Sequence, residues 1–243
     1  MTAYARCDLT FQTDKLIALS GIARAVQTMI QSDYLAGLWS SHIPFNLTWI
    51  PSHYGEPSRS EKYVAPSWSW ASFHNVEIWF TDCEPDQKKS HLVTLDYATT
   101  PTNPEDPFGQ VLDSFIQVRG KLGLMEWVPP SKPQEDVKQV KISATDAMTA
   151  SDDYPRPHKQ RVFTMNDQYL RIDVVEDRPR IREACLLPVY TRPHYEGSME
   201  LLALLLLRKP CGRYVRAGVA TLKADNREAV SYTHLTLPTI LRV

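Results

Sequence analysis

Within Ala65-Pro66-Ser67-Trp68-Ser69-Trp70-Ala71-Ser72, two tryptophans stand two residues apart among small residues. On an extended strand both indoles point to one face, with Ser67, Ser69 and Ala71 on the other. Such a face, with Trp79 nearby, is suited to stacking on a sugar or another flat ligand, because indole offers a broad apolar surface and one N–H donor. The same face also suits packing, and the small residues opposite allow close contact within a protein. Packing is the reading adopted. It requires both indoles to be buried, whereas a binding platform requires at least one to be open in a concave site.

Other constellations carry less. His42 and His53 flank this region and could in principle join Cys7 or Cys83 at a metal, but nothing local fixes their geometry, and ordinary core or surface histidines are expected. Asp152-Asp153 and Glu176-Asp177 are paired carboxylates of the kind glycoside hydrolysis needs. Adjacent strand residues point to opposite faces, and both pairs sit beside prolines and charges, so solvated turns are expected instead. There is no phosphate-cradling glycine loop, and only nine glycines are available for one. Neither a Gly-x-Ser-x-Gly elbow nor a His-Glu-x-x-His helix occurs. No catalytic group, cofactor or metal ligand is therefore nominated. An enzyme would have to assemble its histidines and carboxylates from distant segments.

The elements that position the tryptophans change period midway along the chain. Over residues 14–30, Leu16, Leu19, Ala23, Val26 and Ile30 recur at spacings of three and four, predicting a helix that Thr13 or Asp14 caps. Gly21 inside it predicts close approach by another backbone. A second helix is expected after Ser32 or Asp33, burying Tyr34, Leu35, Leu38 and Trp39. Pro44 should end or kink it, with a further turn over residues 45–50. After Ser72, residues 76–80, 115–119, 137–142 and 169–174 alternate as half-buried strands do. Residues 199–207 are almost continuously apolar, with the length of a buried central strand and not of a membrane span, and Pro210 with Gly212 turns the chain into 213–222. The proline-rich intervals 100–107, 129–136 and 151–158 predict exposed loops. The expected fold is α+β: a helical region over 1–72 packed on an antiparallel β-sandwich or barrel-like domain over 73–225.

A chain of 243 residues with 43% hydrophobic content can bury a substantial core. Its formal net charge of -1 and lack of a basic run give no electrostatic footprint for nucleic acid. Cys7, Cys83, Cys185 and Cys211 are scattered and predict buried free thiols. The N-terminus carries no apolar stretch of secretory type, which predicts a cytoplasmic protein. Asn46-Leu47-Thr48 fits a glycosylation sequon, but without export it is inert, and Trp49 beside it predicts a packed segment.

Three blocks in order resemble the fungal heterokaryon-incompatibility proteins. They are Thr13-Asp14-Lys15-Leu16-Ile17-Ala18-Leu19-Ser20-Gly21-Ile22-Ala23, Tyr34-Leu35-Ala36-Gly37-Leu38-Trp39, and the tryptophan block ending at Ser72. A weaker likeness continues through Leu187-Pro188-Val189, the 199–207 run and Tyr214-Val215-Arg216-Ala217-Gly218, so that most of residues 4–222 is covered. The resemblance implies a role in non-self recognition and programmed cell death. It marks Asp14, Lys15, Leu19, Gly21, Tyr34, Leu35, Gly37, Leu38, Trp39, Pro66, Ser67, Trp68, Ser69, Trp70, Ala71 and Ser72 as signature residues, read here as structural. In that family the death-associated domain lies upstream of these blocks, so this chain is expected to be a fragment without it. It would then be a non-catalytic accessory region. Its expected partner is an unidentified protein, with the upstream domain as a candidate; neither nucleic acid nor membrane is expected as a partner. Residues 226–243, including Val230-Ser231-Tyr232-Thr233-His234-Leu235-Thr236-Leu237-Pro238, resemble translated sequencing-adapter read-through. They are expected to lie outside the fold, leaving Leu235, Leu237, Ile240 and Leu241 without a complementary surface.

Overall fold

The apolar run at residues 199–207 forms the middle of a sheet that is covered on both faces. Leu202, Leu204 and Leu206 enter the main core, while Leu201, Ala203, Leu205 and Leu207 enter a second cluster with Ile181, Ala184, Leu186 and Leu222. A strand buried on both sides has no polar face, which is why the run lacks alternation.

The computed structural model describes residues 2–52, 57–80, 90–99, 102–103, 105–128, 137–144, 161–166, 170–193, 199–224 and 239–243. Two helices, α1 (Thr2–Ala5) and α2 (Ser20–Ile30), open the chain. Six two-residue strands follow: β1 (Tyr34–Leu35), β2 (Leu38–Trp39), β3 (Ile50–Pro51), β4 (Ser58–Arg59), β5 (Phe73–His74) and β6 (Ile78–Trp79). Then come β7 (Ser90–His91), β8 (Thr94–Thr99), β9 (Thr102–Asn103), β10 (Asp106–Val111), β11 (Phe115–Gly120), β12 (Gly123–Val128) and β13 (Val137–Ala144). The last are β14 (Arg161–Asn166), β15 (Leu170–Ile172), β16 (Cys185–Pro193), β17 (Met199–Arg208), β18 (Tyr214–Ala224) and β19 (Thr239–Arg242). An eight-stranded sheet has the order β14-β13-β12-β16-β17-β18-β15, with β7 added on β16, and a three-stranded sheet has the order β19-β11-β8. Every strand pairing among the described residues is antiparallel. The architecture is α+β, and no sheet of the described residues closes into a barrel.

The N-terminal third departs from the expected helices. The 14–30 helix breaks into 3-10 turns at Gln12–Asp14 and Ile17–Leu19 before α2 begins at Ser20. Neither Thr13 nor Asp14 caps it; Leu19 occupies the N-cap position with no side-chain bond. Burial of Lys15 and Leu16, both 1% exposed, pulls the start of the segment into the core. Gly21 meets nothing within 4 Å of where a Cβ would stand, so it is not a site of close approach.

The second expected helix is a hairpin. β1 and β2 pair Tyr34 with Trp39 and Leu35 with Leu38 across Ala36-Gly37, whose φ angles are 46° and 94°. Positive φ at both central residues marks the two-residue turn that matches strand twist, and glycine makes it accessible. The apolar spacing misleads because a helical turn and this hairpin bring the same four residues together.

At the other end, β19 pairs with β11 from Gln117↔Arg242 to Gly120↔Thr239. Val243 is buried at 6% exposure and exchanges both backbone hydrogen bonds with Ile116. The tail therefore does not lie wholly outside the fold, because the free edge of β11 accepts a strand whatever its side chains are. Residues 225–238, with Leu235 and Leu237, fall outside the described residues, as do the intervals 129–136 and 151–158. The 100–107 interval is not simply loop, since it contains β9 and the start of β10.

Candidate functional site

The tryptophan block is a capped turn and not a strand. Pro66 starts a turn closed by Ser69 N–H donating to Pro66 O at 2.9 Å, and a 3-10 turn spans Trp70–Ser72. Ser69 is its N-cap: the side-chain oxygen accepts from Ala71 N–H at 3.1 Å. Proline followed by alternating serines thus favours local side-chain-to-backbone bonds over a sheet ladder. Both indoles are 0% exposed. Stacking of an external ligand on Trp68 or Trp70 is thereby shut off. Trp79, at 52% exposure, is the open indole among the described residues singled out by sequence.

The three sequence blocks meet at this turn. Ser69 Oγ donates to Ala36 O at 2.6 Å and Trp70 Nε1 to Gly37 O at 2.9 Å, so the β1–β2 turn lends its two carbonyls to the tryptophan block. A helix over the same residues would have spent those carbonyls internally. Gly37 is the close-approach glycine here, since a Cβ on it would stand 2.8 Å from Trp70 Nε1. From the first block, Lys15 Nζ donates to Phe73 O at 2.5 Å and lies 5.8 Å from the Trp70 ring centroid. Burial lowers the Lys15 pKa to about 8, because removing the ammonium from water disfavours its charged form. Tyr4 reinforces the contact, donating to Lys15 O at 2.7 Å and meeting Trp70 edge-on.

The signature residues do not all converge. Leu35 and Leu38 join the main core, as do Trp68, Trp70 and Ala71. Leu19 packs partly against it. Tyr34 forms a separate cluster with Ala23, Phe108 and half-buried Trp39. Asp14 and Gly21 are exposed.

Sequence reasoning missed the centre of the junction, a buried ion network on β18. Arg216, 1% exposed, donates from Nη1 to Leu47 O at 3.0 Å and from Nη2 to Trp49 O and to Asp173 Oδ1, the last at 3.0 Å. Its guanidinium carbon lies 3.4 Å from the Trp49 ring centroid, a cation–π contact in a desolvated setting. Desolvation lowers the Arg216 pKa to about 10, with Asp173 acting in the opposite direction. Arg59 brackets the same carboxylate at 3.3 Å and donates to Arg216 O and Ser72 Oγ at 2.8 and 2.9 Å. Ser67 Oγ accepts from the Arg216 backbone N–H at 3.1 Å, while Trp49 Nε1 donates to Trp68 O at 2.9 Å. The available signal was a charged residue flanked by the apolar Val215 and Ala217, which must be paired once buried.

The other nominated groups stay apart. His42 is exposed and bonded to neighbouring Ser41 at 3.0 Å. Cys7 and Cys211 are exposed, against the expectation of buried thiols, while Cys185 is buried. Cys7 stands near the N-terminus and Cys211 at the tip of the β17–β18 turn, where no core reaches them. Glu176 and Asp177 lie in a 3-10 segment, the first exposed and the second half-buried. His53, Cys83, Asp152 and Asp153 fall outside the described residues.

No family model matches the chain, and neither does any curated protein or solved structure.

Proposed function

We propose that this chain is a non-catalytic accessory region of a heterokaryon-incompatibility-like protein, acting in the cytoplasm in fungal non-self recognition and programmed cell death. The observation that supports it is the use of the three blocks: the Lys15 ammonium, the Ser69 hydroxyl and the Trp70 indole N–H each donate to a backbone carbonyl of the same fold. Buried donors with internal partners are the mark of a structural role, because a catalytic group must reach substrate. The two larger sheets are read as layers of a β-sandwich. In support, Ile116 and Val118 of β11 share a core with Leu187 and Val189 of β16, and Gly120 faces Leu187 where a Cβ would come within 2.8 Å.

The partner in this reading is another protein domain, such as the upstream domain of the family. α2 leaves Ile22 and Met29 at 65% and 73% exposure, with Phe11 nearby in sequence at 66%, more apolar surface than a solvated helix face needs. Among the described residues no helix is long and apolar enough to cross a membrane. The test is expression of this chain alone in a fungal cell, where the expected result is growth without death. Killing at modest expression, lost on Trp68→Ala, would overturn the reading.

A further inference from the structure

We propose that the cationic cleft beside the tryptophan block binds a small phosphomonoester carrying a flat ring. This goes beyond the accessory role and does not depend on it. The cleft has a volume of about 410 Å³ and lies between the segment from Arg59 to Ser67, β11 and the β17–β18 turn. That volume falls within the range of small-molecule sites.

Arg59 and Lys62 reach this lining from one segment, and Lys209 and Arg213 from the β17–β18 turn. Lys62, Lys209 and Arg213 are exposed and form no ion pair among the described residues. Arg59 is held from behind by Asp173, Arg216 O and Ser72 Oγ, so its guanidinium is fixed while its side chain stays 27% exposed. Two carboxylates, Asp113 and Asp177, share the lining. Val243 closes one wall, and the cleft stays net positive even when a terminal carboxylate there is counted.

A second observation points to an acceptor-rich ligand. Ser114 lines the cleft and is 8% exposed, and its Oγ stands against the Tyr63 hydroxyl outside normal hydrogen-bond geometry. A buried hydroxyl so poorly paired is costly, and a phosphate oxygen would give it a well-formed bond. Guanidinium and ammonium groups converging from fixed elements are the usual means of holding phosphate. Tyr63, Phe115 and Tyr214 add ring surface to the same lining, and the Arg213 guanidinium already lies 5.3 Å from the Phe115 ring centroid. Rings beside cations suit a ligand of mononucleotide size better than bare phosphate.

Calorimetric titration of the full chain with inorganic phosphate and with adenosine monophosphate tests this. The monophosphate should bind at least tenfold more tightly than phosphate, and both should weaken with added salt. Lys209→Glu with Arg213→Glu, on an exposed turn, should weaken both ligands at least tenfold and leave Tm unchanged. Lys62→Glu provides the same test from another segment of the lining should the turn variant unfold. Equal affinity for the two ligands would remove the ring from the proposal. No saturable binding of the monophosphate below about 1 mM, or binding indifferent to both variants, would overturn it. Preference for an acidic peptide over both phosphates in competition would also overturn it, assigning the cleft to a protein segment.

Discussion

Replacing Arg216 by methionine deletes the guanidinium while keeping an apolar stem of similar length over Trp49. Three acceptors then lose their donor: Leu47 O, Trp49 O and Asp173 Oδ1. Asp173 is 0% exposed, and among the described residues its carboxylate keeps only the Arg59 contact at 3.3 Å. Each orphaned buried carbonyl costs about 1–3 kcal/mol, and removing one member of a buried ion pair about 3–5 kcal/mol. These terms describe the same broken network and overlap, so a total loss of about 3–5 kcal/mol is expected. A domain of ordinary stability, about 5–15 kcal/mol, survives that loss with a lowered midpoint. Urea unfolding should show the midpoint fall at unchanged slope. Adding Asp173→Leu removes the stranded charge, so the double variant should be destabilised by less than the two single losses combined, with a coupling of about 1–3 kcal/mol. A loss under about 1 kcal/mol in Arg216→Met, or simple additivity within about 0.5 kcal/mol, would refute the network as a linked buried unit.

Lys15 makes stability depend on pH in the alkaline range. Its pKa is lowered from 10.5 to about 8 on folding, so between those values the unfolded chain holds more protons and stability rises with pH, by up to about 3 kcal/mol. The raised pKa values of Cys185, Tyr4 and Tyr34 act the other way above pH 9 to 10. The difference between wild type and Lys15→Met in denaturant midpoint from pH 7 to 10 isolates the lysine; a flat difference would contradict its burial as a cation. Two glycine substitutions should have opposite signs in thermal melts. Gly37→Ala places a Cβ 2.8 Å from Trp70 Nε1 at a φ of 94° and should cost at least about 2 kcal/mol. Gly21→Ala, in open space on α2, should gain about 0.5–1 kcal/mol.

Much of the sheet is legible without coordinates. The alternation of residues 115–119 and 137–142 and the unbroken run at 199–207 each lie within one element, and β11, β13 and β17 occupy those positions. Short apolar spacings are less informative. Tyr34, Leu35, Leu38 and Trp39 satisfy a helical face and a two-residue hairpin alike, and the choice falls to a turn that can supply carbonyls to Ser69 and Trp70. The serines of the tryptophan block likewise permit a strand or a capped turn until a neighbour takes their hydroxyls.

By itself the sequence determined which residues had to be buried: Trp68 and Trp70, the leucine strand and the small residues beside the indoles, because apolar area and period are properties of a local segment. Only the tertiary structure decided how they are joined. The bond from Arg216 N–H to Ser67 Oγ spans 149 positions, and that from Arg216 to Leu47 O spans 169. A bond across such a separation imposes no spacing on the residues near either end, so neither partner carries a local trace of the other.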